Sequence, residues 1–235
     1  MGRFSARISG SILRMNFKEP QKLAAEALGT GLLVAAVVGS GIMGEALSDG
    51  NVALALLANT LATGAILFVL VTALGPVSGA HLNPVVSTVF ALRGEMAWRA
   101  LLPMIAAQIV GGICGTLIAH AMFDQSVFQL STNVRSGLSQ WLSEAVATFG
   151  LVFAILLTLR ARPSAVPAAV ALVITAGYWF TASTSFANPA VTIARTLTES
   201  FSGISPSDAI PFIAAQFLGG ILAWLVADWV LSPVD

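Results

Sequence analysis

The chain has 235 residues, 57% of them hydrophobic and 9% charged, with a mean hydropathy of +0.88 and a formal net charge of zero. A soluble domain carries roughly 25% charged residues, so this composition excludes one and points to an integral membrane protein. With no basic cluster beyond the N-terminal tail, it also argues against nucleic acid as a partner.

The tail, residues 1–19, sets Arg3, Arg7, Arg14 and Lys18 among Phe4, Ile8 and Ile12. It reads either as a segment lying on the membrane surface or as a solvated positive anchor. Its start, MGRFSA, places Ala6 where a myristoylation signal needs Ser or Thr. The first apolar run, 23–43, is too long for a signal-peptide core and has no clear cleavage site, so it is expected to be retained. Further runs cover 52–74, 100–123, 138–159, 165–184 and 209–231, each near the roughly 20 residues a spanning helix needs. Six spans are expected, and no alternation of apolar with polar residues suggests a transmembrane barrel. With a cytoplasmic N-terminus, Arg3, Arg7, Arg14, Lys18, Lys22, Arg93, Arg99, Arg160 and Arg162 lie inside and only Arg135 and Arg195 outside. The excess of basic residues thus places both termini in the cytoplasm. Cys114 is the single cysteine, which excludes an intrachain disulfide and a cysteine metal cluster; no cofactor or metal is expected.

The chain is written twice. PMIAAQIVGGI from Pro103 returns as PFIAAQFLGGI from Pro211, NPVVSTVFAL from Asn83 as NPAVTIARTL from Asn188, and AAEALGT from Ala24, more faintly, as LSEAVAT from Leu142. Each copy, about 20–124 and 138–232, holds three spans, and an odd number forces the second to start from the opposite side of the membrane. Residues 20–232 therefore form one domain built from inverted repeats.

After Asn83 and after Asn188 come about nine helix-compatible residues, roughly 14 Å of helix or half the hydrocarbon thickness. These are expected to be half-helices. Pro84 and Pro189 suit the first helical position, where the missing N–H has no intrahelical partner, and each Asn caps the preceding one. Inverted symmetry brings the two starts together near the bilayer centre. Non-helical backbone at that depth must be buried or line a wet path, so GPVSGAH and TASTSFA are expected to offer carbonyls to a polar path. Each Asn amide can spend its oxygen on the cap and present N–H donors to a passing molecule. Two positive half-helix ends repel protons and cations, which leaves neutral hydrogen-bonding solutes.

SGAHLNPVV and FANPAV within this duplicated scaffold resemble the aquaporin, or major intrinsic protein, family over residues 20 to 232. The resemblance implies an all-α membrane fold of six transmembrane helices and two re-entrant half-helices. It further implies a homotetramer in a bacterial inner membrane, each subunit with its own pore for water and small neutral solutes. Asn83, Pro84, Val85, Asn188, Pro189 and Ala190 match the two motifs, Glu26 and Glu144 the glutamates that brace the pore loops, and His81 the histidine before the first motif. Val85 departs from the usual Ala, a methyl-scale change expected to touch packing more than selectivity.

The family's outer constriction carries an arginine three residues after the second motif asparagine; here that residue is Val191. By the family's spacing the other constriction positions fall on Thr63, Ala176 and Ser185. With the large side chains absent, the filter is expected to be wide and less polar than a water filter. It resembles that of bacterial aquaporins associated with arsenic resistance, implying metalloid acids, methylated arsenicals or glycerol besides water. Arg195 is expected to end the second half-helix at the outer surface.

Other readings stand beside these. Glu26 and Glu144 suit either bracing or proton relay, His81 either pore lining or pH gating. Asp228 reads as a snorkelling or interfacial residue, and Gly111, Gly112, Gly219 and Gly220 as close helix crossings. A water and glycerol facilitator with no metalloid role is the main alternative. A secondary transporter also uses inverted repeats but carries a charged midplane site, and an enzyme would need a nucleophile paired with a base; the chain is expected to be neither.

Overall fold

The computed structural model describes residues 17–232, and all regular secondary structure among them is helical. Helix α1 spans Glu19–Leu47, α2 Val52–Ser78, α3 Pro84–Leu92, α4 Trp98–Met122, α5 Leu138–Ala161, α6 Val166–Phe180, α7 Pro189–Arg195 and α8 Pro206–Val230. A 3₁₀ turn, Pro163–Ala165, leads into α6. The alternatives for the tail, and its myristoylation reading, fall almost wholly on residues 1–16, outside the described residues.

Among the described residues six helical segments are long and apolar enough to span a bilayer, the fifth combining the 3₁₀ turn with α6. The start of α1 and the end of α8 therefore lie on one side, here called the terminal face. The fifth span stops at Phe180, short of the expected 184, because the chain turns there into residues that adopt left-handed backbone at Thr184, Ser185 and Ala187.

The two short helices, α3 and α7, each open on the expected Asn-Pro pair. Asn83 Oδ1 accepts from Val85 N at 2.9 Å, and Asn188 Oδ1 from Ala190 N at 3.0 Å. The second is shorter than expected, ending at Arg195.

Duplication extends to the packing. Helix α1 lies against α4 and α5 against α8, and glycine sets how near they come. A Cβ at Gly111 would stand 2.0 Å from the Ala27 carbonyl oxygen, and one at Gly219 2.1 Å from that of Ala145. Gly112 and Gly220 serve the half-helices instead: a Cβ at Gly112 would meet the Ala190 carbonyl oxygen at 3.3 Å, and one at Gly220 would meet Val85 Cγ1 at 2.2 Å. The extra bulk of Val85 thus occupies the space left by Gly220 and stays away from the pore. At the terminal face, Arg93 at the end of α3 pairs with Asp228 of α8, so Asp228 joins two elements rather than merely reaching for the interface.

Candidate pore and its outer mouth

Each re-entrant loop is hung on one buried carboxylate. Glu26 accepts from Ser78 Oγ (2.6 Å), His81 N (3.0 Å), Leu82 N (2.7 Å) and Gln108 Nε2 (2.8 Å). Glu144 accepts from Ser183 Oγ (2.6 Å), Phe186 N (2.9 Å), Ala187 N (2.8 Å) and Gln216 Nε2 (2.6 Å). Both glutamates have all four of these donors in matching places, and both are fully buried. The loops need such a hold. Ala80 and Leu82 in one, Ser185 and Ala187 in the other, have φ between 47° and 53°, a region that costs a non-glycine residue roughly 1–3 kcal/mol.

The loops are also tied to each other. Asn83 Nδ2 donates to the Ala187 carbonyl at 2.8 Å, and Asn188 Nδ2 to the Leu82 carbonyl at 2.7 Å. One amide N–H of each Asn is therefore spent on the opposite loop, where the sequence left both for a passing molecule. The second N–H of each remains, and both Asn residues line the cavity.

That cavity, about 570 Å³, runs past both motifs from Arg195 at one end to Pro163 and Ser164 at the other. Its wall is largely aliphatic, with Leu33, Val37, Leu67, Val86, Ile155 and Ile174 among the lining residues. His81 contributes twice: its backbone N–H is one of the Glu26 donors, and its ring lines the cavity, sharing a 3.1 Å hydrogen bond with Ser87 and lying 4.6 Å from the Phe90 ring.

A match to the model of the major intrinsic protein family covers residues 14–176 and 159–234. The chain belongs to that family. It is 57% identical over 217 residues to the aquaglyceroporin AqpS of Rhizobium meliloti, covering 92% of this chain and 93% of that protein. It is 30% identical to aquaporin NIP2-1 of Zea mays over 223 residues, 91% of this chain and 71% of the relative. Among solved structures, the aquaglyceroporin of Plasmodium falciparum superposes with a TM-score of 0.70 over 92% of this chain and 98% of its own, at 20% identity.

Of the constriction positions inferred from family spacing, Thr63, Ser185 and Val191 line the cavity and Ala176 does not. Ala176 lies on the exposed side of α6. Its neighbour Gly177 is the residue turned towards the pore loop, close enough that a Cβ would stand 2.5 Å from Ser185 Oγ. Counting twelve residues back from Asn188 lands one position off, and one residue is about 100° of helix rotation. Tyr178, which the sequence reading passed over, is buried in the wall and shares a 3.2 Å hydrogen bond with Thr63. As the chain's single tyrosine it carried a signal, since a buried phenol needs a partner.

Arg195 is the larger correction. It is not an outer-surface residue: 2% exposed, it lines the cavity one helical turn beyond Val191. Its guanidinium lies over the Phe186 ring, 3.4 Å from the centroid, and Nε donates to the Ser202 carbonyl. Arg135 donates to the carbonyls on either side of Ser202, to Phe201 at 3.2 Å and Gly203 at 2.8 Å, and reaches the same ring at 5.1 Å. Burial holds the Arg135 guanidinium below the ordinary arginine range.

Proposed function

We propose that the chain is a passive channel for small uncharged solutes, water and glycerol among them, with an outer filter roomy enough for metalloid acids such as arsenous acid and for methylated arsenicals. The observation that carries this reading is Val191. It stands in the cavity wall three residues beyond Asn188, where an aliphatic side chain leaves the pore wider and less polar than an arginine would. The description of the Rhizobium meliloti relative as an aquaglyceroporin supports the glycerol part. The metalloid part rests on the filter composition, Thr63, Ser185 and Val191.

Passage at the midpoint proceeds by exchange of hydrogen bonds. The remaining N–H of Asn83 and of Asn188 replaces water as donor to a solute oxygen, while the aliphatic wall takes the carbon edge. The N-terminal ends of α3 and α7 both meet there, and their positive potential excludes cations.

In the same reading the protein is no enzyme and works in the lipid bilayer of a bacterial inner membrane, with both termini cytoplasmic, an orientation that the Lys and Arg distribution supports. Assembly as a homotetramer belongs to the same proposal. Proteoliposome uptake of glycerol, urea, arsenous acid and a methylated arsenical, with and without a proton gradient, tests it. Uptake down each solute's own gradient, equal in both conditions, is expected. Accumulation driven by the proton gradient would mark a coupled transporter, and glycerol uptake without arsenous acid would leave the simpler facilitator.

A further inference from the structure

A buried guanidinium is expensive unless it is paired. Among the described residues no carboxylate forms an ion pair with Arg195, and its side chain makes one hydrogen bond, from Nε to the Ser202 carbonyl. The group is nevertheless held firmly. Phe186 covers one face and is itself packed edge-on against Phe212 at 5.3 Å. The Ser202 carbonyl is fixed by Arg135 on both flanks. Behind it runs a chain of hydroxyls, Ser202 to Ser200 (3.2 Å), Ser200 to Thr198 (3.0 Å) and Thr198 to the ring of His120 (2.9 Å), a histidine anchored in turn on the Val127 carbonyl at 2.9 Å. What this leaves over is the outer edge of the fork, the two Nη groups, with no protein acceptor at the end of a cavity that Arg195 lines.

We propose that this edge is a solute-binding site, in which Arg195 takes a pair of neighbouring oxygens from a neutral hydroxylated solute: a vicinal diol, or two hydroxyls of a metalloid oxyacid. The inference rests on the channel reading. A guanidinium with its face covered and Nε engaged offers donors only in its own plane, and two in-plane donors match two oxygens borne on one atom or on adjacent atoms. Val191, one turn deeper, and Phe186 supply apolar surface for the remainder of such a solute. Oxygens set farther apart reach only one Nη. The pore then discriminates by oxygen spacing before the solute meets the asparagines, and Arg195 is a specificity-determining residue that the family's usual position, here Val191, does not supply.

Isomers of equal size isolate this effect. Flux of vicinal and of terminal propanediol, with glycerol alongside, is measured by light scattering in proteoliposomes of the full chain, after subtraction of protein-free vesicles. The wild type is expected to favour the vicinal isomer by about three- to tenfold, the range spanned by one ordinary hydrogen bond after exchange with water. Arg195→Lys keeps the charge without the planar fork, and the ratio is expected to fall to near one while glycerol still passes. Phe186→Leu leaves the arginine in place but frees its plane, and the ratio is expected to fall as well. A wild-type ratio of one, or an unchanged ratio in Arg195→Lys, overturns the site and leaves the channel reading standing. If Arg195→Lys fails to insert, Phe186→Leu decides, and an unchanged ratio there overturns the site equally. Wild-type protein that passes neither isomer nor glycerol overturns both readings.

Discussion

The two half-helices are the same device with different wall chemistry. Asn83 and Asn188 cap them, Val86 and Val191 follow three residues on, and Glu26 and Glu144 hold their loops through matching sets of donors. Two positions part company. Two residues before the motif stands His81 in one copy and Phe186 in the other, and seven residues after it stand Phe90 and Arg195. In both copies these two side chains meet, as a histidine and a phenylalanine ring 4.6 Å apart near the terminal face and as a guanidinium 3.4 Å over a ring near the opposite one. The lesson is that the loops hang on glutamates outside the cavity wall, so the lining positions His81/Phe186 and Phe90/Arg195 are free to diverge. A cation has been placed in one mouth only, without disturbing the network that places it.

If the frames are equivalent, removing either glutamate should do equal damage. Glu26→Ala and Glu144→Ala each take the acceptor from four donors, all of them buried around Glu144, and around Glu26 two buried (Leu82 N, Gln108 Nε2) and two partly buried (Ser78 Oγ, His81 N). At about 1–3 kcal/mol per unsatisfied group, each variant is expected to lose about 4 kcal/mol or more. Thermal unfolding in detergent, or the yield of monodisperse protein, measures it. A loss confined to one glutamate breaks the comparison.

Much of this was legible in the sequence, and for a physical reason. Spans, half-helices and inverted repeats are written in apolar length, Asn-Pro pairs and recurring words, which are local patterns. Ser185 and Val191 follow from counting three residues either side of Asn188, and the longer count to Thr63 reaches the cavity wall as well. Ala176 fails because the count crosses the turn after Phe180, where one residue more or less rotates α6 by about 100°. Arg195 was misplaced for a different reason. A basic residue ending a half-helix reads as a cation at a helix C-terminus facing water. What buries it is the folded-back stretch 199–204, whose packing over the mouth leaves no mark in composition. Tyr178, His120 and Arg135 depend on the same non-local contacts.

The packing of α3 on α8 against that of α7 on α4 gives a sharper contrast. A methyl at Gly220 would meet Val85 Cγ1 at 2.2 Å, whereas one at Gly112 meets its neighbours at 3.3 Å. Gly220→Ala is expected to cost about 1–3 kcal/mol, and Gly112→Ala less. Val85→Ala should rescue the first and do nothing for the second. A double-mutant cycle on unfolding midpoints reads the coupling; additivity at Gly220 and Val85 would mean the valine is accommodated elsewhere.

Val191→Arg tests whether the second copy's wall sets selectivity. A bulky fork one turn inside Arg195 narrows the opening and supplies donors that hold water. Glycerol and arsenous acid flux are expected to fall about tenfold more than water flux. A parallel fall of all three, with insertion intact, indicates plain blockage, and no change in any places Val191 outside the constriction.

The smallest effect is expected where the two half-helices are tied down at their ends. Arg93 after α3 pairs with Glu95 and Asp228, whereas after α7 the exposed Glu199 accepts from the backbone N–H (2.5 Å) and the hydroxyl (2.6 Å) of Thr132. Those two bonds hold the Glu199 carboxyl below the usual carboxylate range. A group whose native pKa is depressed contributes stability above its unfolded value, and loses it as pH falls through the native one. The tie is therefore complete at neutral pH and opens only below about pH 4. Hydrogen exchange at the Thr132 amide, corrected for its intrinsic rate, should show protection that fades in acid. Glu199→Gln keeps one acceptor oxygen, so it should lower that protection several-fold at neutral pH without changing glycerol flux. Full protection in the variant would mean that the loop is held by Asn133 donating to the Ser200 carbonyl and by Arg135 instead. A fall in flux would mean that the tie reaches through residues 200–202 to Arg195, and that the mouth is set by the loops above it as well as by the half-helix below.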